Sequence, residues 1–183
     1  MKFMIASDLH GSEKYGKLLF QRYEEEGAEK LLLLGDLLYH GARNALPDEY
    51  STIGLTALLN AHKGDIFAVH GNCDSEVDQM VLEFPITSAC NMMYVDGHQW
   101  ILTHGHLFDE CSMIPHDPGA VLLHGHTHVQ VMEKCGDFYV MNPGSVSIPK
   151  DEERIHSYMV YEDLTFTIKD VTDGRTIRSF TIA

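Results

Sequence analysis

Seven acidic, amide and imidazole side chains stand at or within two residues of the ends of short apolar runs of the sequence, and together they could bind metal ions. They are Asp8, His10, Asp36, Asn72, His104, His126 and His128. A mixed set of oxygen and nitrogen donors suits Mn, Fe, Co, Ni or Zn better than Ca or Mg. Seven donors exceed the needs of one tetrahedral ion, but they match two ions about 3.5–4 Å apart when one carboxylate bridges them. Two such ions attract phosphate ester anions, so this donor set predicts phosphoester chemistry.

The apolar runs before these side chains have the length and composition of buried strands. They are FMIAS before Asp8, KLLLLG before Asp36, DIFAVHG before Asn72, WILT before His104 and AVLLHG before His126. In layered α/β proteins ligands bind in the crevice beyond the carboxyl ends of strands, so we expect these side chains to meet in space. His10 and His128 each follow another donor by two residues. Because residues i and i+2 point the same way in an extended or loop backbone, each pair can face one ion.

The first half of the sequence alternates strand and helix signals, whereas the second half indicates strands. A first strand is expected at 2–7, followed by a helix that Ser12 can cap and that ends near Gly27. Asp96-Gly97 predicts a tight hairpin. The other signals are strands at 30–34, 65–69, 120–123, 129–134 and 138–141, a helix from about 51, and a terminal meander with turns at 162–163 and 173–174. No linker or repeat interrupts the chain, so we expect one domain over residues 1–183.

Composition and charge exclude several classes of function. The 183 residues are 44% hydrophobic and 22% charged, which is typical of a globular domain. Lys and Arg number 13 against 27 Asp and Glu, and the resulting net charge of −14 disfavours binding of a nucleic-acid polymer. No apolar run approaches the ~18 residues of a membrane helix, and the amino-terminal run lacks the features of a secretory signal. We therefore expect a cytoplasmic protein that does not enter a membrane.

The cysteines are widely spaced and form no C-x-x-C pair. They are Cys73, Cys90, Cys111 and Cys135. This spacing fits neither a zinc ribbon nor a thioredoxin motif. We expect reduced thiols.

Five short motifs carry a resemblance to a known family. They are Asp8-Leu9-His10, Gly35-Asp36, Gly71-Asn72-Cys73-Asp74, His104-Gly105-His106 and Gly125-His126-Thr127-His128. In order and spacing they resemble the motifs of the calcineurin-like metallophosphoesterases. Asn142-Pro143-Gly144-Ser145 is similar to a further element of the small bacterial and archaeal members, and segments 40–44 and 71–76 more narrowly resemble the YfcE-type phosphodiesterases.

The resemblance implies a fold and an arrangement of metal ligands. The implied fold is a four-layer α/β/β/α sandwich. One ion would be held by Asp8, His10, Asp36 and His128, and the other by Asp36, Asn72, His104 and His126. Asp36 would then bridge two divalent ions, and Mn²⁺ is the metal that the resemblance implies. The donor types alone leave Zn²⁺, Fe²⁺, Co²⁺ and Ni²⁺ open.

Four further residues are candidates for contact with substrate or for catalysis. The resemblance implies that Cys73 stands where many members of the family have a histidine that protonates the leaving oxygen or stabilises the transition state, and that Asp74 is the usual partner of that histidine. A thiol with a pKa near ~8.5 is neutral at pH 7, so we expect a preference for esters with good leaving groups, such as aryl phosphodiesters. Arg43 could clamp a phosphate oxygen or simply be a surface charge. His106 could touch substrate or only support a neighbouring ligand.

These observations predict a metal-dependent phosphoric diester hydrolase that acts on a small phosphodiester through a metal-activated hydroxide. Alternatives on the same site are a phosphomonoesterase and a nuclease. A different alternative is a non-catalytic metal-binding scaffold that resembles the retromer subunit of this fold. A homo-oligomer is plausible from the general frequency of symmetric assemblies.

Overall fold

Two β-sheets pack face to face in the computed structural model, which describes residues 1–109 and 114–183. The strands are β1 (Phe3–Ala6), β2 (Lys30–Leu33), β3 (Ile66–Ala68), β4 (Cys90–Val95), β5 (His98–Thr103), β6 (Val121–Leu123), β7 (Gln130–Cys135), β8 (Phe138–Pro143), β9 (Ser157–Glu162), β10 (Thr165–Asp170) and β11 (Thr176–Thr181). The first sheet has the order β11-β10-β9-β1-β2-β3, in which β1, β2 and β3 are parallel. The second has the order β4-β5-β6-β8-β7, in which β5, β6 and β8 are parallel. Each sheet therefore has parallel strands whose carboxyl ends share one edge, as the motif positions require.

The helices of the described residues are α1 (Glu13–Glu26), α2 (Thr52–Ala61) and α3 (Glu76–Val81). The first two confirm the predictions. Ser12 caps α1 by accepting a hydrogen bond from the backbone N–H of Tyr15, and Gly27 ends it with a φ of 61°. The six-residue α3 was not predicted because it buries no side chain and so has no apolar stripe. Its sequence signal is the capping box formed by Ser75 and Asp78.

The largest side chains of the core fill the space between the sheets. Trp100 on β5 packs against Phe3, Tyr161 and Phe166 of the first sheet, with ring centroids 4.6 to 5.7 Å apart. On the opposite face of the first sheet, α1 and α2 contribute Leu19, Leu55 and other residues to a second apolar cluster. Burial on both faces explains why the strands before the motifs are continuously apolar.

The predicted α/β fold, with two packed central sheets flanked by helices, is confirmed. Among the described residues, α1 and α2 cover the first sheet. On the outer face of the second sheet, Ile101, Leu122 and Val140 form a smaller cluster that packs against Ile114 and includes no residue of α1, α2 or α3.

The hairpin prediction is correct and one predicted turn shifts by a residue. Asp96 and Gly97 have φ values of 47° and 86°, as a two-residue hairpin requires. In the terminal meander, β9 continues through Glu162, which pairs with Thr165. The turn is therefore made by Asp163 and Leu164.

Two further expectations concern the thiols and membranes. Cys73, Cys90 and Cys135 are free, whereas Cys111 lies outside the described residues, as does part of the loop between β5 and β6. In the two described ranges no helix has the length and apolar character of a membrane span.

Candidate metal centre

All seven predicted ligands lie in loops at the carboxyl ends of β1, β2, β3, β5 and β6, and backbone hydrogen bonds join these loops. The N–H of Asp8 donates to the carbonyl of Gly35 at 3.1 Å, and the N–H of His10 donates to the carbonyl of Asp36 at 3.0 Å. Across the second sheet, the N–H of Gly125 donates to the carbonyl of His104 at 3.0 Å. The strand ends therefore converge as predicted, and each ligand loop is fixed by its neighbour.

Most of the ligands have a left-handed backbone. The φ values are 58° for Asp8, 46° for His10, 55° for Asp36, 66° for His126 and 59° for His128. This conformation costs a residue other than glycine on the order of 1–3 kcal/mol, and such strain is concentrated at functional sites. Asp8 and His10 do face one point, and of the extended and loop backbones that the sequence allowed, the structure has a loop with both residues in the left-handed conformation.

Glycine precedes several ligands because the loops approach each other too closely for a side chain. A Cβ at Gly71 would overlap the carboxylate and backbone nitrogen of Asp36. A Cβ at Gly125 would overlap the hydroxyl of Ser7 and lie 2.7 Å from Oδ2 of Asp8. The loops of the centre can therefore pack together only because the Gly-Asn and Gly-His dipeptides of the motifs begin with glycine.

The first donor group consists of Asp8, His10 and His128, which are all buried. Oδ1 of Asp8 lies 3.2 Å from Nε2 of His128 and 3.5 Å from Nε2 of His10, and the two Nε2 atoms are 3.2 Å apart. Nδ1 of His10 lies 2.8 Å from the carbonyl of Tyr39, and Nδ1 of His128 lies 2.6 Å from the carbonyl of Ile148. Because each Nδ1 lies within hydrogen-bond distance of a carbonyl, each ring directs its Nε2 toward Asp8, where a ring without a proton on Nε2 offers a lone pair to a metal ion.

The second donor group contains Asp36, His104 and Asn72. Nδ1 of His104 donates to the carbonyl of Leu34 at 2.7 Å, and its Nε2 lies 3.2 Å from Oδ1 of Asn72. Oδ2 of Asp36 lies 3.4 Å from Nε2 of His104 and 3.7 Å from Nε2 of His10. The Asp36 carboxylate therefore stands between the two donor groups.

These residues fit divalent cations. Donor atoms of Asp8, His10 and His128 lie within 4.8 Å of one another, and so do those of Asp8, Asp36 and His104. Oδ1 of Asp8 is buried and has no well-aligned hydrogen-bond donor among the described residues. Buried lone pairs that face one another without a hydrogen atom between them are unfavourable, and a cation removes that penalty.

In the metal-free protein, protons compensate the buried carboxylates. Burial lowers the pKa of His104, but hydrogen bonding to Asp36 and the charges of Asp8 and Asp36 outweigh burial and raise the pKa to about 9. Burial also lowers the pKa of His10, but the neighbouring Asp8 outweighs burial and raises that pKa. Burial raises the pKa of Asp8, yet His10 and His128 hold it well below its ordinary value. The centre therefore attracts positive charge, either as protons or as metal ions.

Asp74 positions the loop of Asp36. Its buried carboxylate accepts hydrogen bonds from the backbone N–H groups of Asp36, Leu37 and Gly71 at 2.9, 2.8 and 2.8 Å. Burial raises the pKa of Asp74 more than these bonds lower it. These contacts make Asp74 a positioning residue, whereas its direct action on a substrate stays a prediction.

The Asn142–Ser145 motif fixes two ligand loops. The amide of Asn142 donates to the carbonyl of Gly125 at 2.8 Å. The hydroxyls of Ser145 and Ser147 donate to the carbonyl of Asp8 at 2.8 and 3.0 Å. Ser147 was missed by sequence reasoning, because a serine that binds only a backbone carbonyl leaves no recognisable spacing.

A cavity of about 800 Å³ lies over the centre. Its wall includes Asp36, Asn72, His126 and His128. Of the four non-ligand candidates, Arg43, Cys73 and Asp74 line it as well. Lys150 also lines it and was missed, since no motif surrounds it.

Two histidines and Cys73 border the donor groups. The His126 ring centroid lies 5.1 Å from that of His104, and His106 lies 5.4 Å from His104. Burial lowers the pKa of His126 and of His106, and the charge of His104 lowers both further. Burial and the Asp36 carboxylate raise the pKa of Cys73 to about 12, so its thiol is neutral as predicted.

Comparisons with known proteins identify the family of this chain. The family model of the calcineurin-like phosphoesterase superfamily domain matches residues 1–164. The chain belongs to this superfamily. Phosphodiesterase YfcE of Escherichia coli K12 is 45% identical over 150 residues, which cover 82% of each chain. The solved structure of Yfce, a phosphoesterase from E. coli, is 40% identical with a TM-score of 0.97 over the whole of both chains.

The superfamily fold is shared more widely. Zn²⁺-bound Vps29 from Entamoeba histolytica has a TM-score of 0.61 at 19% identity, covering 100% of this chain and 98% of its own. At this identity the likeness concerns the fold alone.

Proposed function

We propose that this protein hydrolyses small phosphodiesters with the help of two divalent metal ions. The observation that carries the proposal is the buried Asp36 carboxylate, which lies between Nε2 of His10 in the first donor group and Nε2 of His104 in the second. Membership of the phosphoesterase superfamily and the similarity to a phosphodiesterase support the reaction class.

The ligands divide between the ions as the resemblance implies. Asp8, His10, Asp36 and His128 hold one ion, and Asp36, Asn72, His104 and His126 hold the other. We propose Mn²⁺ as the metal, with Zn²⁺, Fe²⁺, Co²⁺ and Ni²⁺ as ions that the same donors accept. When bound, such ions neutralise charge on phosphoryl oxygens and lower the pKa of water.

The protein's own residues position the ester. Arg43 lines the cavity and His106 lies beside His104, and both bind phosphoryl oxygens in this proposal, since both can donate hydrogen bonds to an anion. Cys73 offers a neutral thiol, so the leaving group departs with little help from a general acid. The proposal therefore favours diesters with good leaving groups over monoesters. We also propose that the protein is located in the cytoplasm and forms a homo-oligomer.

The scaffold alternative rests on the fold shared with Vps29. Against it, each of the seven ligand positions holds a side chain capable of binding metal. A nuclease is disfavoured by the net charge of −14.

The test is hydrolysis of bis-p-nitrophenyl phosphate beside p-nitrophenyl phosphate by metal-stripped protein. Adding Mn²⁺ is expected to restore cleavage with a preference for the diester, and Asp36→Asn is expected to lose it. Measured metal content completes the experiment. Two bound ions without cleavage of either ester would contradict the proposal and favour the scaffold.

A further inference from the structure

The cavity over the metal centre contains a cation that the proposed reaction does not use. Eight of the 13 Lys and Arg side chains of this acidic protein lie within 4.0 Å of a carboxylate oxygen. Lys150 is exposed on the cavity wall and has no acidic partner in the described parts of the chain. An unpaired cation in a concave site is available to a ligand.

Lys150 is held in place through the metal ligands themselves. Its backbone N–H donates to the carbonyl of His128 at 3.0 Å, and the carbonyl of Ile148 accepts the Nδ1 hydrogen of the same histidine. Ser145 and Ser147 tie the preceding residues to Asp8. The backbone of Lys150 is therefore fixed, although its side chain is free to meet a ligand.

Lys150 stands apart from the face of His128 that binds metal. Nε2 of His128 points at Asp8, while Lys150 bonds to the carbonyl on the main chain of that histidine. Arg43 approaches from another loop, in which Gly41 packs so closely on Cys73 that a Cβ would lie 3.1 Å from Sγ. The two cations therefore lie on separate loops that line one cavity. The loop of Arg43 packs on Cys73, and the loop of Lys150 is hydrogen-bonded to His128.

We infer that Lys150 binds a second anionic group, a carboxylate or phosphate, on one ester arm of the substrate. The inference rests on the proposed function, in which the metal centre and Arg43 take the scissile phosphoryl group. The net charge of −14 makes the protein as a whole repel a dianionic substrate. An unpaired cation on the cavity wall attracts the second negative charge and so favours binding of such a substrate there. The substrate class is therefore a phosphodiester with a further negative charge on one arm.

The test compares two matched esters, 4-nitrophenyl 4-carboxyphenyl phosphate and 4-nitrophenyl 4-carbamoylphenyl phosphate. They differ in one charge and little in size. The wild-type Mn²⁺ enzyme is expected to have a kcat/KM about 10-fold higher for the carboxylate ester, since a charge-assisted hydrogen bond has that magnitude. Lys150→Gln is expected to bring the ratio of the two kcat/KM values close to one.

Two further variants distinguish recognition of the second charge by Lys150 from a general effect of removing a surface cation and from binding of the scissile phosphoryl group. Arg178→Gln removes an exposed cation of β11 that has no carboxylate partner in the described residues and does not line the cavity, so it should keep the wild-type ratio. Arg43→Gln should lower kcat/KM for both esters together. Equal kcat/KM values for the two esters in the wild type would overturn the inference, and so would a Lys150→Gln loss that is equal for both.

Binding distinguishes failure of the inference from failure of the proposed function. The probes are 4-carboxybenzylphosphonate and 4-carbamoylbenzylphosphonate, whose C–P bonds do not hydrolyse. If neither ester is cleaved, the proposed function is wrong, but the Mn²⁺-loaded protein should still bind the carboxylate probe more tightly and lose that preference in Lys150→Gln. Equal dissociation constants for the two probes would refute the role of Lys150.

Discussion

At the scale of single residues, the neighbours of each donor determine its chemistry. Three histidines of the centre are oriented by backbone carbonyls: His104, His10 and His128 direct Nδ1 at the carbonyls of Leu34, Tyr39 and Ile148. Such contacts fix the tautomer and direct Nε2 at the metal position. Cys73 differs from these donors because its thiol keeps its proton, with a pKa of about 12.

Replacement of Cys73 tests how leaving groups are protonated. Cys73→His introduces a general acid, which is commonly worth ~10²–10⁴ in rate for a leaving group that needs a proton. We expect the ratio of kcat/KM for alkyl over aryl phosphodiesters to rise by at least about 10-fold. Cys73→Ser, which changes size little, is the control and should keep the wild-type ratio. An unchanged ratio in Cys73→His with normal metal content would show that position 73 does not assist the leaving group.

Metal binding at neutral pH should release protons. The pKa of His104 is raised to about 9 in the metal-free protein, so its ring is protonated at pH 7 and must lose a proton before Nε2 can bind an ion. Affinity for Mn²⁺ is therefore expected to rise with pH up to about 9 and to fall below it. Calorimetric titration in two buffers of different ionisation enthalpy measures the released protons, and His104→Asn should release fewer. Binding without proton release in the wild type would contradict the raised pKa.

At the scale of elements, the loops after the parallel strands form the centre by bonding to one another. The loops after β1 and β2 share backbone hydrogen bonds, and Asp74 in the loop after β3 fixes the loop after β2. The segment after β8 is attached to Asp8 by Ser145 and Ser147. These bonds hold the left-handed backbone of the ligands against its intrinsic cost.

Asp74→Asn should damage both stability and metal binding. An amide NH₂ cannot accept the backbone hydrogen bonds that both carboxylate oxygens accept, so a buried N–H group loses its partner. We expect the free energy of unfolding to fall by about 1–3 kcal/mol, with weaker Mn²⁺ affinity. Urea denaturation and metal titration measure the two effects. Asp48→Asn, at an exposed carboxylate paired with Lys14, is the control, and an equal loss in both variants would argue against this role for Asp74.

At the scale of the whole molecule, the metal centre joins the two sheets. Asp8 and Asp36 follow strands of the first sheet, whereas His104 and His128 follow strands of the second. The core between the sheets, centred on Trp100, joins them in the middle. Ions bound at the edge would act as a second junction.

Metal is therefore expected to stabilise the entire fold. At a free concentration 100 times the dissociation constant, one ion adds about 2.7 kcal/mol to the free energy of unfolding. Denaturation followed by the fluorescence of the buried Trp100 should show a higher midpoint with Mn²⁺ than after chelation. Asp36→Asn should show a much smaller shift. A shift confined to local signals, with Trp100 unaffected, would show that the ions do not connect the sheets.

The sequence by itself determined the strands and the two longer helices, and it predicted which side chains serve as metal donors. Apolar runs buried on both faces predict strands, and Ser12 and Gly27 mark the ends of α1, because these signals are local. The short helix α3 was not predicted, because none of its side chains is buried and it therefore has no apolar pattern. The motif spacing also indicated the family, which the comparisons confirm.

Only the tertiary structure decided how the donors are oriented and what surrounds them. The left-handed backbone of Asp8, the carbonyls that orient the histidines and the attachment of Asp74 to the loop of Asp36 depend on residues far apart in sequence. Lys150 is the clearest case, because nothing in its local sequence marks it as part of the cavity. A pattern reports which side chains are present, whereas contacts between distant loops determine which atoms face each other, and those contacts exist only once the sheets have packed.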